Sequence, residues 1–171
     1  IAKILHFAEP KTFSELDLIT TDSRAVRAGS MFVAIKGDSH DGHAFIQSAI
    51  EKGAVAILTE KPITAPANVC VFHVASTLNA IRTLAHAYRL SFSIPFIGVV
   101  GSVGKTTTKE LIYSLLKGKY EHVLKTEGSQ NGFLGIPITL LSLKQDDQIA
   151  VIEIGIDEIG AMEQHLSIVE P

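Results

Sequence analysis

The amino-acid sequence predicts an α/β protein in two parts. A small mixed α/β N-terminal domain spans residues 1–92, and part of a P-loop-type parallel-sheet domain follows over residues 93–171. Three observations predict it. Apolar runs of strand length alternate along the chain with stretches of helical spacing. One such run, Ile94-Pro95-Phe96-Ile97-Gly98-Val99-Val100, leads directly into the glycine-bearing turn Gly101-Ser102-Val103-Gly104-Lys105-Thr106-Thr107 and then into a helical pattern. The connector Ser91-Phe92-Ser93-Ile94-Pro95 just ahead of that run sets the boundary between the parts.

In the first part, Met31-Phe32-Val33-Ala34-Ile35 reads as a strand ending at Lys36-Gly37-Asp38. Phe45, Ile46, Ala49 and Ile50 give residues 43–52 helical spacing, and Gly53 is a natural terminator. Ala54-Val55-Ala56-Ile57-Leu58 is a buried strand; a loop from Pro62 to Pro66 precedes another strand from Val69 to Val74. Ser76 or Thr77 caps a helix to about Leu90, with Leu78, Ile81, Ala85 and Tyr88 on its apolar face.

In the second part the helix after the glycine turn carries Leu111, Ile112, Leu115 and Leu116, and a short strand covers His122 to Lys125. Gly128-Ser129-Gln130-Asn131-Gly132 is a turn. A helix runs from Ile136 to Leu143, with Pro137 tolerated in its first turn. Ile149-Ala150-Val151-Ile152-Glu153-Ile154 is an apolar strand with one acid near its end, and Glu163 to Val169 is helical. A βαβ arrangement of parallel strands is the expected topology. The stretch from Ile94 to Pro171 is short beside a typical domain of about 100–150 residues. It therefore reads as cut short, with an unpaired outer strand.

Composition narrows the function classes. Fifteen Lys+Arg against eighteen Asp+Glu give a net charge of −3, with no basic cluster to favour nucleic acid. Apolar residues make up 46% of the chain, enough for proper cores, yet no uncharged apolar run is long enough for a membrane span. The lone Cys70, inside Val69-Cys70-Val71-Phe72, reads as a core strand residue; a reducing cytoplasm fits, and no disulfide framework is possible. His40-Asp41-Gly42-His43 supplies too few ligands for a zinc site, and His86 and His165 lie on helical patterns as surface residues.

The glycine turn carries the chemistry. Strand, glycine-bearing turn, Lys-Thr and helix are the parts of a phosphate-binding loop, in which backbone N–H groups and the helix start converge on an anion. Lys105 supplies a mobile positive charge for terminal phosphates, and the Thr106 hydroxyl is placed to ligate magnesium. The spacing is shorter than a Walker A loop, because Val99 stands where that pattern needs glycine. An ordinary strand–turn–helix with a surface lysine is the plain alternative. Glu153, at the carboxyl end of an apolar parallel strand, faces the side where ligands gather in such sheets and can share a magnesium ion with Thr106. A strand-end acid pointing to solvent is the competing reading.

Together these residues resemble the Mur ligase family, ATP-dependent amide-bond-forming enzymes of bacterial cell-wall synthesis. Gly101-Ser102-Val103-Gly104-Lys105-Thr106-Thr107 resembles that family's short loop, with Val103 where asparagine is frequent. Thr21-Asp22-Ser23-Arg24, Gly29-Ser30-Met31-Phe32-Val33-Ala34 and Gly37-Asp38-Ser39-His40-Asp41-Gly42-His43 resemble its UDP-sugar-binding domain. Thr106-Thr107-Thr108-Lys109-Glu110 and Gly128-Ser129-Gln130-Asn131, followed by Gly135-Ile136-Pro137-Ile138-Thr139-Leu140-Leu141, resemble the branch that adds D-alanyl-D-alanine to a UDP-N-acetylmuramoyl-tripeptide. Gly132 and Phe133 stand there in place of more polar residues.

The resemblance implies a UDP-binding domain followed by part of an ATPase domain, ATP and magnesium as cofactors, and those two molecules as substrates in the bacterial cytoplasm. It implies that Gly101, Ser102, Gly104, Lys105, Thr106 and Thr107 bind ATP and that Thr106 and Glu153 hold magnesium. Lys105 and Asn131 take catalytic roles, while Ser23, Arg24, Lys36 and His43 meet the UDP portion. Further domains would complete the enzyme, so the 171-residue chain alone is expected to lack ligase activity. The branch adding a diamino acid or lysine, a P-loop kinase or NTPase, and a non-catalytic nucleotide-sugar-binding module stay open as alternatives.

Overall fold

A computed structural model describes residues 1–7, 16–37, 40–156 and 158–171. Asp38 and Ser39 of the motif before His43 lie outside the described residues. The chain divides into two compact units, Ile1–Ile81 and Arg82–Pro171.

The first unit is built on a four-stranded parallel sheet. Strands β1 (Leu18–Thr20), β2 (Ser30–Val33), β3 (Ala54–Thr59) and β4 (Cys70–His73) lie side by side in that order. β2 is buried throughout and β3 almost so, as expected of parallel strands covered on both faces. β1 went unanticipated in the sequence because three edge residues, Leu18-Ile19-Thr20, carry too little periodicity to register. Residues 43–52 do not form one helix. Asp41 accepts the His43 N–H and starts a 3-10 turn, Gly42–Phe45, and helix α1 (Ile46–Glu51) continues from it. Ile46 and Ala49 of α1 join Phe32, Ala34, Ile57 and Val69 in the core.

Helix α2 (Thr77–Arg89) starts on a cap that sequence spacing alone did not single out. Besides Ser76, whose Oγ accepts from Asn79 N–H, Glu60 Oε1 accepts from both Thr77 N–H (2.8 Å) and Thr77 Oγ1 (2.9 Å). The Thr77 N–H holds the Glu60 carboxyl below its usual range. Stability from this cap is therefore present above the ordinary 4.5 and is lost as pH falls below it. Glu60→Ala is expected to cost about 1 kcal/mol, read as a lower denaturation midpoint, with the deficit shrinking in acid.

α2 begins in the first unit and ends in the second, ahead of the boundary that the sequence suggests at 92/93. Ala85 near its end and Phe92 just beyond it supply the second core, packing with Phe96, Ile136, Leu140, Ile152 and Val169. Tyr88 Oη donates to Leu143 O (2.9 Å) and Arg89 Nε to Val169 O (2.7 Å), satisfying helix-end carbonyls across that core.

The second unit is a three-stranded parallel sheet in the order β5 (Phe96–Val99), β7 (Ile149–Glu153), β6 (Val123–Lys125). Helices α3 (Lys105–Lys117), α4 (Gly135–Leu141) and α5 (Ala161–Val169) accompany it. The middle strand β7 is buried along its whole length. Helix α3 keeps only half of the expected apolar pattern inward: Leu111 is 62% and Leu115 78% exposed, whereas Lys109 is 0% exposed. The inward line steps from Lys105 through Lys109 and Ile112 to Leu116, a spacing of four, three and four residues. His165 is likewise not a surface residue; it is 1% exposed on α5, with its ring 4.7 Å from that of Phe133.

Candidate functional site

The second unit's candidate site lies where β5 and β7 end and α3 begins. Gly104 sets it up. It is the N-cap of α3 with φ 75°, in the left-handed region that disfavours a Cβ. Its carbonyl already accepts the first helical bond, from Thr108 N–H at 2.9 Å. The chain therefore turns abruptly from strand to helix, with the first amides of α3 unpaired within the helix and directed outward. Lys105, the first residue of α3, folds over this turn and donates from Nζ to Gly101 O at 3.0 Å. Ser102 and Thr107 are exposed beside it.

Thr106 points the other way, toward the sheet. Its Oγ1 donates to Glu153 Oε1 at 3.2 Å, and Asn131 Nδ2 donates to the same oxygen at 2.8 Å. Glu153 is the last residue of β7 and is 1% exposed, so the strand-end acid does not face solvent. Its backbone N–H donates to Thr126 Oγ1 at 2.9 Å. The second carboxylate oxygen, Oε2, is buried without a hydrogen-bond partner. A buried carboxylate with one oxygen unsatisfied, next to a threonine hydroxyl and an asparagine, is a hard-oxygen donor set suited to a small divalent cation. Thr106 and Asn131 thus meet on one oxygen of Glu153.

Asn131 reaches this point because the turn between β6 and α4 is tied down. Thr126 N–H donates to Val151 O and Gly155 N–H donates to Asn131 O. At α4's start, Gly135 packs directly on the Gln130 backbone. Lys109, not picked out as a site residue from the sequence, completes the arrangement. Its Nζ donates to Thr126 O (2.7 Å) and Gly128 O (3.0 Å), and lies 3.6 Å from Glu153 Oε2. The available signal was its position four residues after Lys105, on the same helical face.

In the first unit the four predicted substrate residues follow the carboxyl ends of the adjacent strands β1 and β2, where ligands of parallel sheets bind. They fall into two groups. Arg24, with its side chain 88% exposed, forms a fork with Asp22, from Nε to Oδ1 at 2.9 Å and from Nη2 to Oδ2 at 2.8 Å. This pair brings the Asp22 carboxyl down to about 2. Lys52 Nζ donates to Ser23 O at 2.8 Å, leaving the Ser23 hydroxyl outside that bond.

Lys36 is exposed and bridges to Asp41 through the backbone. His43 is committed inward. Its Nε2 accepts from Glu60 N–H (3.1 Å), which places the ring hydrogen on Nδ1 for donation to Asp41 Oδ1 at 2.6 Å. Asp41 also accepts from Lys61 Nζ at 2.7 Å, and this bond holds its carboxyl well below the usual carboxylate range. With both nitrogens engaged, the His43 ring positions Asp41 and Glu60 and leaves no nitrogen for a further ligand bond.

Residues 15–90 match the profile of the Mur ligase family, catalytic domain, and residues 99–171 that of the Mur ligase middle domain. The UDP-N-acetylmuramoyl-tripeptide--D-alanyl-D-alanine ligase of Synechocystis is 41% identical over 154 residues, covering 90% of this chain and 34% of that protein. A crystal structure of MurF from Acinetobacter baumannii superposes with a TM-score of 0.88 at 33% identity, covering 99% of this chain and 39% of that one. MurF ligase from Thermotoga maritima in complex with ADP superposes with a TM-score of 0.78 at 37% identity, over 88% of this chain and 35% of that one. The chain spans about a third of the length of the curated relatives it matches.

Proposed function

The chain belongs to the Mur ligase family, and from that premise we propose that it is the nucleotide-handling portion of a ligase that joins D-alanyl-D-alanine to a UDP-N-acetylmuramoyl-tripeptide in the bacterial cytoplasm. The observation that carries this reading is the convergence of Thr106 and Asn131 on the buried Glu153 carboxylate at the start of α3.

A carboxylate is a poor electrophile. In the proposed reaction the peptide's terminal carboxylate takes the γ-phosphoryl group of ATP, with ADP leaving. The free amino group of D-alanyl-D-alanine then attacks the acyl carbon, and phosphate departs. Such chemistry depends on positioning and on neutralising phosphate charge. The amides after Gly104 would cradle the phosphates, with Gly101, Ser102 and Thr107 shaping the loop around them. Lys105, freed from Gly101 O, would swing onto the terminal oxygens.

Magnesium, when bound, would supply neutralisation of phosphate charge, and Thr106 with Glu153 would hold it. Asn131 would keep the Glu153 oxygen aimed at that place. In the first unit, Arg24, Lys36 and the Ser23 hydroxyl would meet the UDP portion, with His43 bracing the region through Asp41 and Glu60.

The test is a pair of separate titrations of the full-length protein followed by hydrogen exchange. UDP-N-acetylmuramoyl-tripeptide should protect residues before Ser91, and an ATP analogue with magnesium should protect residues after it. Arg24→Ala with Lys36→Ala should weaken only the first ligand, by about tenfold or more for two charged contacts. Protection of the same residues by both ligands would rule out this assignment.

A further inference from the structure

Lys109 has no part in the scheme above, yet it is 0% exposed and sits inside the site. Burying an ammonium is costly unless it is fully paired. Two of its three hydrogens go to the carbonyls of Thr126 and Gly128. Its charge is flanked by two carboxylates, Glu110 Oε1 at 3.3 Å and Glu153 Oε2 at 3.6 Å. Glu110 is already taken from the other side by Lys125, at 2.6 Å. The result is a row of alternating sign, Lys125–Glu110–Lys109–Glu153, whose inner end is the Glu153 oxygen that neither Thr106 nor Asn131 reaches.

We propose that Lys109 is a positioning residue of the phosphate-loop centre: its ammonium compensates Glu153 through Oε2 and binds the 126–128 turn to α3, so that Oε1 and Asn131 are held facing Thr106. The inference rests on the reading of Thr106 and Glu153 as the cation-holding pair. A methylene stem alone would fill the same space, so the charge is what distinguishes this role from packing.

Two measurements on the full-length protein test it. In the first, Lys109→Met, Glu153→Gln and the double variant are compared in denaturation. Lys109→Met strands a buried carboxylate, so adding Glu153→Gln should restore stability rather than lower it further. Additive losses would overturn the proposal. If Lys109→Met does not fold, the double variant still should, and its failure to fold would count against the proposal equally.

In the second, a non-hydrolysable ATP analogue is titrated with and without magnesium. Lys109→Met should reduce the magnesium-dependent gain in affinity by about tenfold or more, as loss of a supporting partner typically does. Affinity without magnesium should stay near that of the unaltered protein. Removing a nearby positive charge would by itself tighten magnesium binding, so an unchanged or larger gain would refute positioning. Absence of any magnesium gain in the unaltered protein would instead remove the Thr106–Glu153 reading, and this inference with it.

Discussion

Lys105→Ala in the full-length protein should lower ATP-dependent amide formation by about 10³-fold, within the range seen when a positioned phosphate-neutralising group is lost. Two features of the structure support so large an effect. Lys105 opens α3, so its stem leaves the helix at the point where the amides after Gly104 converge. Its Nζ, 3.0 Å from Gly101 O, already lies over the loop rather than extended into solvent. Lys109 is paired with Glu153 and cannot replace Lys105. Binding of UDP-N-acetylmuramoyl-tripeptide should stay within a factor of about two, since the residues proposed for it belong to the other compact unit. A parallel loss of both ligands would mean that the units do not act as separate sites.

Gly135→Ala should be the most damaging substitution in the second unit that removes no functional group. An added Cβ would stand 2.5 Å from Gln130 O and 2.6 Å from Gln130 Cα, distances that real contacts do not reach. Both atoms are backbone, so relief requires moving the turn that carries Asn131. Overpacking of this kind costs about 3 kcal/mol or more when the backbone must yield. The denaturation midpoint should fall accordingly, and magnesium-dependent nucleotide binding should weaken with it.

Gly128→Ala is the internal control. Gly128 lies in the same turn with φ 53°, but its missing Cβ would meet nothing within 4 Å. Its cost should be only the conformational one, about 1 kcal/mol. Equal effects at the two positions would show that the contact with Gln130 is not the cause.

The elements were legible wherever a segment's local pattern and its burial agree. β7, α2 and the strand–turn–helix around Gly104 fall within a residue or two of their expected limits, because each is long or apolar enough for its period to be read directly. The helix expected over residues 43–52 broke into a 3-10 turn and a short helix. There the Asp41 side chain caps the start by accepting the His43 N–H, and the first turn takes the tighter 3-10 form before α1 begins. Leu111 and Leu115 show the limit of periodicity: it finds a helix, but does not tell which of the apolar residues on the pattern are buried.

The same division runs through the site. The order of Gly104, Lys105 and Thr106 after an apolar strand is a property of adjacent residues, and their shared chemistry follows from chain geometry at one strand-to-helix turn. The sequence by itself therefore determined the strand–glycine turn–helix, the α/β class and the family resemblance. Only the tertiary structure decided what Glu153 touches, that His43 turns inward to Glu60 and Asp41, and that Lys109 is buried on α3 while Leu111 and Leu115 are exposed. Those outcomes depend on partners 17, 22 and 47 residues apart. Burial makes such partners obligatory, because an enclosed charge or polar group must find its complement wherever the fold brings one.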